Sequence, residues 1–162
     1  MKERLRDASS GDADFIYRVV EQTMRGYVEK VWGAFNEEMN RKSIAATLAA
    51  GHYAIIRDGA EDAGALSVER RPGFIWLAQL FILPAHQRKG IGTHIVRALA
   101  MEATGLRKPL RLRVIAVNPA RTFYEREGFV VCATTRERVY MQWTPVGLAR
   151  SAHEPWHLHF ES

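Results

Sequence analysis

Apolar residues recur at helical spacing through the first third of the chain. The pattern begins after Asp12, which can serve as the N-cap of a helix. The residues that carry the pattern are Phe15, Ile16, Val19, Val20, Met24, Tyr27, Val28, Val31 and Trp32. They predict one long helix, unless Gly26 breaks it. A second helix is predicted from Asn36 to Gly51, and the short segment RLRDAS before both helices is a strand candidate.

The middle of the chain changes to short apolar runs rich in β-branched and aromatic residues, which are typical of strands. The three runs are HYAII, ALSVER and FIWLAQLFIL. Turn residues separate them in RDGAEDAG and RPG. Because short connections join antiparallel neighbours, we expect a three-stranded meander.

The last part of the chain alternates between helix and strand patterns. An apolar repeat every four residues predicts a helix over residues 92–104, and LRLRVIAV then alternates as a strand. A strand, a helix and a strand in this order imply a right-handed crossover between parallel neighbours. Asn118 is predicted to cap a short helix, after which FVVCATT and RVYMQW form a hairpin. The predicted class is α/β, an α+β mixed sheet with the order β-α-α-β-β-β-α-β-α-β-β.

Length and composition are those of one globular domain. The chain has 162 residues, of which 47% are hydrophobic, and single domains typically contain about 100 to 200 residues. We expect one domain over residues 1–144 and a C-terminal tail over residues 145–162. No apolar run approaches the roughly 20 residues that cross a bilayer, and MKERLRDASS lacks the apolar part of a signal peptide. The sequence therefore predicts a soluble, cytoplasmic protein without a membrane partner.

Charge and cysteine content narrow the function classes further. The net charge of +5 favours an anionic partner. The cations are spread along the chain without a run of five or six, so no nucleic-acid partner is predicted. The single cysteine, Cys132, is flanked by apolar residues and is expected to be buried, rather than to act as a nucleophile.

The loop QRKGIG lies between the long apolar strand and the helix that follows it. A loop at this place presents unpaired backbone N–H groups and the positive end of the helix dipole. Gly90 and Gly92 allow close approach of the backbone, while Arg88 and Lys89 add positive charge. The Walker loop does not fit because the lysine precedes the glycine, and the dinucleotide fingerprint does not fit because its third glycine is missing. We expect a diphosphate ligand, with a tight turn that only caps the helix as the alternative.

Two motifs together resemble a known family. QRKGIG matches the Q/R-x-x-G-x-G/A loop of the GCN5-related N-acetyltransferase (GNAT) superfamily, and VNPARTFYEREGF resembles that family's strand-end Asn, helical Tyr and Gly-Phe. The resemblance extends from about residue 3 to residue 144. It implies the GNAT-like acyl-CoA N-acyltransferase fold. It also implies an acetyl-CoA-dependent N-acetyltransferase whose acceptor is a primary amine of a small molecule or of a peptide N-terminus.

The resemblance implies a site for acetyl-CoA and no metal. Tyr124 would be the catalytic residue, with its hydroxyl near the sulfur, and Asn118 would bind the pantetheine. The implied cofactor-binding residues are Phe81, Ile82, Leu83, Gln87, Arg88, Lys89, Gly90, Ile91, Gly92, Thr93, Asn118 and Tyr124. From the residues alone, Asn118 is equally explained as a helix cap, and a core tyrosine is the alternative for Tyr124.

The residue that removes the proton from the amine stays open. Related enzymes often place a carboxylate on the long strand, but the strongly polar side chain there is Gln79, which cannot act as a base. Water, Glu69, Glu37 and His86 are the alternatives.

The acceptor site is expected beside the first two helices. Tyr27, Trp32 and Glu37 would form aromatic walls and a carboxylate, which suit a cationic amine. The alternative is that these aromatic residues pack into the core. Two other function classes also remain, a non-catalytic acyl-CoA-binding module of the same fold and a basic nucleic-acid-binding protein.

The tail contains His153, His157 and His159. No fourth ligand accompanies them at an established spacing, so no metal site is predicted. We expect the tail to cover an apolar surface or a partner subunit, and a homodimer is compatible with the sequence.

Overall fold

The computed structural model describes residues 4–148 and Trp156, and within them it contains seven strands and four α-helices. The strands are β1 (Leu5–Asp7), β2 (Tyr53–Asp58), β3 (Glu61–Arg70), β4 (Ile75–Ile82), β5 (Leu110–Ile115), β6 (Val130–Thr134) and β7 (Arg138–Trp143). The helices are α1 (Ala13–Trp32), α2 (Glu37–Ala49), α3 (Ile91–Leu106) and α4 (Ala120–Arg126). The predicted order of elements and the mixed-sheet class are confirmed. The tail histidines lie outside the described residues.

The sheet opens between its two halves. Its strand order is β1-β2-β3-β4-β5-β7-β6, and all neighbours are antiparallel except β4 and β5. These two strands are parallel, as the predicted crossover requires, and two residue pairs join them, Ile75 with Leu110 and Trp76 with Arg111. Beyond Trp76, β4 has no partner strand on its β5 side among the described residues. The carboxyl-terminal part of β4 therefore borders a gap in the sheet.

A β-bulge in β4 lies at the start of this gap. Consecutive residues of β3 pair with Gln79 and Leu77, so Ala78 is an extra residue in β4. Without a bulge, Leu77 and Phe81 would occupy the same face, since an even number of positions separates them. Instead Leu77 belongs to the core beneath α3, and Phe81 packs against the core beneath α1 and α2. The bulge thus turns the end of β4 relative to its beginning.

The two apolar cores lie on opposite faces of the sheet, because adjacent residues such as Ile55 and Ile56 belong to different cores. One core lies beneath α3 and α4, and the other beneath α1 and α2. A smaller cluster places Trp156 edge-on against Trp76 and Tyr140, with ring centroids 6.1 and 5.9 Å apart. Trp156, the described residue of the predicted tail, therefore covers an apolar surface of the domain.

The helices follow the prediction except at the first cap. α1 is continuous, so Gly26 does not break it. Asp12 does not cap α1 with its side chain, because its carboxylate accepts hydrogen bonds from Arg6 at 2.8 and 3.1 Å. Asn36 caps α2 as predicted and accepts a hydrogen bond from the Met39 N–H at 2.9 Å. Among the described residues, no helix is long and apolar enough to cross a membrane.

The predicted turn over RDGAEDAG is wrong in extent. Asp58 pairs with Glu61, so only Gly59 and Ala60 connect β2 to β3. The polar residues that suggested a long turn lie in paired strands instead. Gly64 lies within β3, and a Cβ atom there would be 2.1 Å from the Phe81 carbonyl oxygen. This glycine therefore allows close approach to β4.

Cys132 is exposed, which corrects the prediction that it is buried. It lies in β6, the last strand of the sheet, where side chains alternate between exposed and half-buried positions. Val131 and Ala133 pair with the consecutive residues Met141 and Tyr140 of β7, so Cys132 is the extra residue of a β-bulge and takes an exposed position.

Candidate active site

The predicted anion-binding loop connects β4 to α3. A 3-10 turn, Pro84–His86, follows β4, and α3 begins directly after Gly90. Gly90 has a φ of 79° and Arg88 a φ of 64°, both in the left-handed region. For Gly90 this conformation explains the residue type. The first N–H groups of α3 have no acceptor within the helix, so the loop and the helix together present hydrogen-bond donors to an anion.

A first cavity, of about 480 Å³, lies over this loop. Most of the predicted cofactor-binding residues line it: Phe81, Ile82, Gln87, Arg88, Gly90, Ile91, Gly92, Thr93, Asn118 and Tyr124. Arg88 and Arg126 supply positive charge, and none of its lining residues is aspartate or glutamate. The cavity therefore suits an elongated ligand that carries phosphate groups at the loop end.

Hydrogen bonds to Asp58 attach the loop to β2. The Lys89 Nζ donates to Asp58 Oδ2 at 2.8 Å, and His86 Nδ1 lies 2.9 Å from the same oxygen. Hydrogen bonds from Lys89 and His86 lower the pKa of Asp58 to about 2. The Lys89 ammonium is thus bound to β2 and is not part of the cavity lining. Gln87 adds a further tie, since its Nε2 donates to the Ile82 carbonyl at 2.8 Å.

Asn118 and Tyr124 also line the first cavity. Asn118 Oδ1 accepts the Ala120 N–H at 2.9 Å, so this residue caps the first turn of α4 as well as lining the cavity. Tyr124 is 6% exposed, and burial raises the pKa of its hydroxyl above the ordinary value. The hydroxyl has no hydrogen-bond partner elsewhere in the described part of the chain. It is therefore available to a ligand.

A second cavity, of about 380 Å³, lies on the other side of the gap in the sheet. Residues of α1 and α2 form one wall, and the parts of β4 and β5 that do not pair with each other form the other. The two cavities share six lining residues, Met24, Leu80, Phe81, Asn118, Ala120 and Tyr124. A ligand in the first cavity and a ligand in the second cavity would therefore come into contact beside Tyr124.

The family model of the acetyltransferase (GNAT) domain matches residues 19–149. The chain belongs to the GNAT acetyltransferase family. A search of curated proteins found no match. Solved structures of similar fold agree with this assignment.

Three of these solved structures illustrate the likeness. The PaiA N-acetyltransferase from Thermoplasma acidophilum, in complex with coenzyme A, has 17% identity and a TM-score of 0.65, covering 86% of this chain and 97% of its own. The ribosomal-protein-S18-alanine N-acetyltransferase from Escherichia coli has 18% identity and a TM-score of 0.66, covering 93% and 97%. An acetyltransferase from Thermus thermophilus has 20% identity and a TM-score of 0.69, covering 86% and 95%. At these identities the likeness concerns the GNAT fold alone.

The residues predicted for the acceptor site of this GNAT protein are not all brought together. Trp32 lines the second cavity, whereas Tyr27 lines the first. Glu37 lines neither cavity and lies 3.8 Å from the Arg41 guanidinium. Leu83 does not line the first cavity and packs against the core beneath α1 and α2.

Arg113 and Arg138, which line the second cavity, were not among the predicted site residues. The alternation in LRLRVIAV places Arg113 on a defined face of its strand. The cavity that this face borders depends on how β5 pairs with β7, and this pairing cannot be predicted from the alternation.

The described candidates for a base in this GNAT site are engaged elsewhere. Glu69 pairs with Arg71 at 3.0 Å, and His86 lies between Asp58 and Glu61. None of the residues that line the second cavity is aspartate, glutamate or histidine. A lining side chain that could remove a proton from an amine is therefore not found there.

Proposed function

We propose that this protein transfers an acetyl group from acetyl-CoA to a primary amine of a small molecule or a peptide N-terminus. The observation that carries the proposal is the meeting of two cavities at Tyr124, whose hydroxyl is free of other described partners. The amine attacks the thioester carbonyl directly, since the two ligands reach each other without an intermediate group on the protein.

The first cavity supports a role as the acetyl-CoA site. The pyrophosphate would accept hydrogen bonds from backbone groups between Gln87 and Thr93, with Arg88 and Arg126 adding positive charge. The pantetheine arm would run along the end of β4, where Phe81, Ile82 and Leu83 have no neighbour on the β5 side among the described strands. An extended chain can add to such an open strand through backbone hydrogen bonds.

Tyr124 would donate its proton to the departing thiolate. Breaking the C–S bond leaves negative charge on sulfur, and a hydroxyl close to the sulfur neutralises it. Because burial raises the pKa of Tyr124, its hydroxyl remains protonated at neutral pH. The proton lost by the amine would pass to water, since no base lines the second cavity.

The test is a panel of amines, amino acids, polyamines, aminoglycosides and short peptides, incubated with acetyl-CoA while free thiol is measured. We expect one class to react, and Tyr124→Phe to lower its kcat by roughly 10²- to 10⁴-fold. Tyr17→Phe is the matched control, because it removes a buried tyrosine hydroxyl that donates to Glu21 and lines neither cavity. Equal rates for Tyr124→Phe and Tyr17→Phe would contradict the role of Tyr124.

A second candidate function is an acyl-CoA-binding module without turnover. The lack of aspartate, glutamate and histidine in the lining of the second cavity favours it. Calorimetric binding of acetyl-CoA with no turnover of any amine would support this module, and no binding of acetyl-CoA would contradict both functions. A cytoplasmic location, a homodimer and the absence of a nucleic-acid partner stay predictions of the sequence.

A further inference from the structure

Gln79 lies on the wall of the second cavity because of the bulge in β4. It follows Leu77 by two positions, so without the extra residue Ala78 both side chains would lie on the face beneath α3. Instead Gln79 shares the face of Phe81, which packs against the core beneath α1 and α2. The bulge therefore places a primary amide in the lining of the second cavity.

A buried tyrosine binds one end of this amide. The register pairs Tyr53 of β2 with Ser67 of β3, and Ser67 with Gln79, so the three side chains form a row on one face of the sheet. The Tyr53 hydroxyl donates to Gln79 Oε1 at 2.5 Å. Tyr53 is 6% exposed and lines neither cavity, so its hydroxyl can affect a ligand in the second cavity only through Gln79.

The Tyr53 hydroxyl fixes the orientation of the amide. Burial raises the pKa of Tyr53 to about 12, so the hydroxyl keeps its proton at neutral pH. Turning the amide over would put the donor Nε2 in the place of the acceptor Oε1. The buried proton would then have no acceptor, since Tyr53 makes no other hydrogen bond within the described residues. Oε1 therefore stays on Tyr53, and the Nε2 amino group points away from it.

The Nε2 amino group of Gln79 is a hydrogen-bond donor without a partner in the described part of the chain. Nε2 is not a fully buried atom, and the open space that Gln79 borders is the second cavity. A primary amide whose oxygen is already bound offers N–H groups alone. It therefore selects a ligand atom that accepts a hydrogen bond, such as a carbonyl oxygen.

This donor lies next to the reacting end of the second cavity. Leu80 and Phe81, the two residues that follow Gln79, line both cavities, whereas Gln79 lines the second alone. Adjacent residues of a strand are about 3.3 Å apart along it. The oxygen that Gln79 binds should therefore be only a few bonds from the reacting nitrogen, as is a carbonyl oxygen on the carbon next to the amine carbon.

The lining of the second cavity also favours one kind of amine. None of its lining residues is aspartate, glutamate or histidine, so no such side chain takes a proton from the amine. The acceptor must then react from its neutral form. At about pH 7.5 roughly a third of an α-amine is neutral, against roughly a thousandth of a lysine-type amine, because their pKa values are about 7.8 and 10.4. The carbonyl group next to the amine carbon is what lowers the pKa of the α-amine.

We infer that the acceptor is an α-amine with a neighbouring carbonyl group, as in an amino-acid amide or a peptide N-terminus, and that Gln79 donates from Nε2 to this carbonyl oxygen. This inference rests on the proposed function. The neutral amine attacks the thioester carbon beside Tyr124, so that a C–N bond forms and the C–S bond breaks. The proton of the amine passes to water, and the departing thiolate takes the proton of Tyr124. Tyr53 is a positioning residue, because it contacts Gln79 and not the acceptor.

The first experiment compares acceptors with wild-type protein and saturating acetyl-CoA, and kcat/KM is calculated for the neutral amine. Glycinamide is paired with propargylamine, whose amine pKa is lowered to a similar value without any oxygen atom. β-Alaninamide moves the carbonyl group one carbon further away, and alanyl-alaninamide represents a peptide N-terminus. We expect glycinamide or the peptide to exceed propargylamine and β-alaninamide on the order of 10-fold. The ratio of glycinamide to the peptide says which source of the α-amine this protein takes.

Variants of Gln79 test whether this residue causes the preference. Gln79→Met keeps the length of the side chain and removes its donors. Gln79→Glu keeps an oxygen for Tyr53 but presents a second oxygen to the acceptor. Both variants should reduce the preference over propargylamine on the order of 10-fold. Gln22→Met is the control and should keep the preference, because Gln22 is exposed on α1 and lines neither cavity. Calorimetric binding of acetyl-CoA shows that each variant is folded.

Tyr53→Phe tests the positioning role. Without the hydroxyl the amide can turn over, so the preference over propargylamine should fall about two- to fivefold, because Gln79 still presents its donors part of the time. Tyr17→Phe removes a buried hydroxyl that donates to Glu21, and this control should keep the preference. A loss of stability alone would slow both acceptors equally, so the ratio of their rates distinguishes a positioning role from a structural one.

The possible results separate the inference from the proposed function. If propargylamine reacts as well as the α-amines, or if lysine-type amines and polyamines react faster than α-amines at neutral pH, the inference is wrong while the acetyltransferase stands. If Gln79→Met and Gln79→Glu both keep the preference, the inference is also wrong. If acetyl-CoA binds and no amine reacts, both the transfer and the inference are wrong. If acetyl-CoA does not bind in a calorimetric titration, the proposed function fails first.

Discussion

Tyr124 occupies the wall between the two cavities, and the state of its proton determines the pH dependence of the proposed reaction. Burial raises the pKa of this hydroxyl above about 10, the ordinary value for tyrosine. The hydroxyl therefore stays protonated, and able to donate, throughout the range in which amines lose their protons. No aspartate, glutamate or histidine lines the second cavity, so no such base there would add a further bend to the pH profile of the rate.

We expect the logarithm of kcat/KM for the acceptor to rise with pH at unit slope until the pKa of the acceptor's own amine is reached. Above that pH, kcat/KM should stay constant, and it should not decrease at any pH up to about 10, because Tyr124 is still protonated there. Initial rates with two acceptors of different amine pKa check this, since the bend must move with the acceptor. A bend at the same pH for both acceptors would mean that a group on the protein titrates.

Gly64 is a residue whose replacement should damage both stability and acetyl-CoA binding. A Cβ there would lie 2.1 Å from the Phe81 carbonyl oxygen, so Gly64→Ala must push β4 away from β3. We expect a loss of about 1–3 kcal/mol in the free energy of unfolding, measured by urea denaturation, and weaker acetyl-CoA binding.

Gly26→Ala is the matched control for Gly64→Ala. Gly26 lies within α1, and its added Cβ would meet nothing within 4 Å. Because alanine is the better helix former, this variant should gain about 0.5–1 kcal/mol and leave binding unchanged. If Gly64→Ala and Gly26→Ala had the same effect, the close contact between Gly64 and β4 would not contribute to the free energy of unfolding or to acetyl-CoA binding.

Among the elements, the loop before α3 depends on a charge that lies outside it. Asp58, at the end of β2, binds Lys89 and His86 and so fixes both ends of the segment that leads into α3. The Lys89 ammonium is thus held by Asp58, and Lys89 is not among the residues that line the first cavity.

Asp58→Asn should loosen the loop and raise the Kd for acetyl-CoA about two- to fivefold, since each partly exposed pair contributes modestly. Isothermal titration measures this. Asp14→Asn is the control, because Asp14 pairs with Arg41 at 2.9 Å far from the loop. An unchanged Kd for Asp58→Asn would mean that the loop holds its shape without its hydrogen bonds to Asp58.

The sequence predicted the order of elements well, because apolar period and turn residues are local signals. It also identified the glycine loop, since its donors come from one continuous segment. The β2–β3 turn was predicted too long because Asp, Glu and Gly residues within β3 resemble a turn when their pairing is unknown. The bulge at Ala78 depends on the register of β3 against β4, and no local pattern marks it. The arginines of the second cavity were missed for the same reason, since two strands distant in sequence bring them together.

In the whole molecule, the two halves of the sheet are joined by two β4–β5 residue pairs. A ligand that adds to the open end of β4 would bridge these halves. Binding to the native state alone stabilises it by mass action, independently of any reaction.

Acetyl-CoA at 100 times its Kd should therefore add about 2.7 kcal/mol and raise the Tm by roughly 5–10 °C. Differential scanning fluorimetry with and without acetyl-CoA measures the shift. Arg88→Glu combined with Gly92→Val should keep the Tm of the ligand-free protein close to that of the wild type and lose most of the shift. A full shift in this variant would place acetyl-CoA elsewhere.

The outer edge of the sheet affects how any assembly of this protein is observed. Cys132 is exposed on β6, so two molecules that meet at this edge can be oxidised to a covalent pair. A dimer linked in this way results from oxidation by air during purification and does not show that the subunits bind each other. Mass measurements of the native state should therefore be made with a thiol reductant or with Cys132→Ser, and a dimer that survives both conditions is held by contacts other than this sulfur.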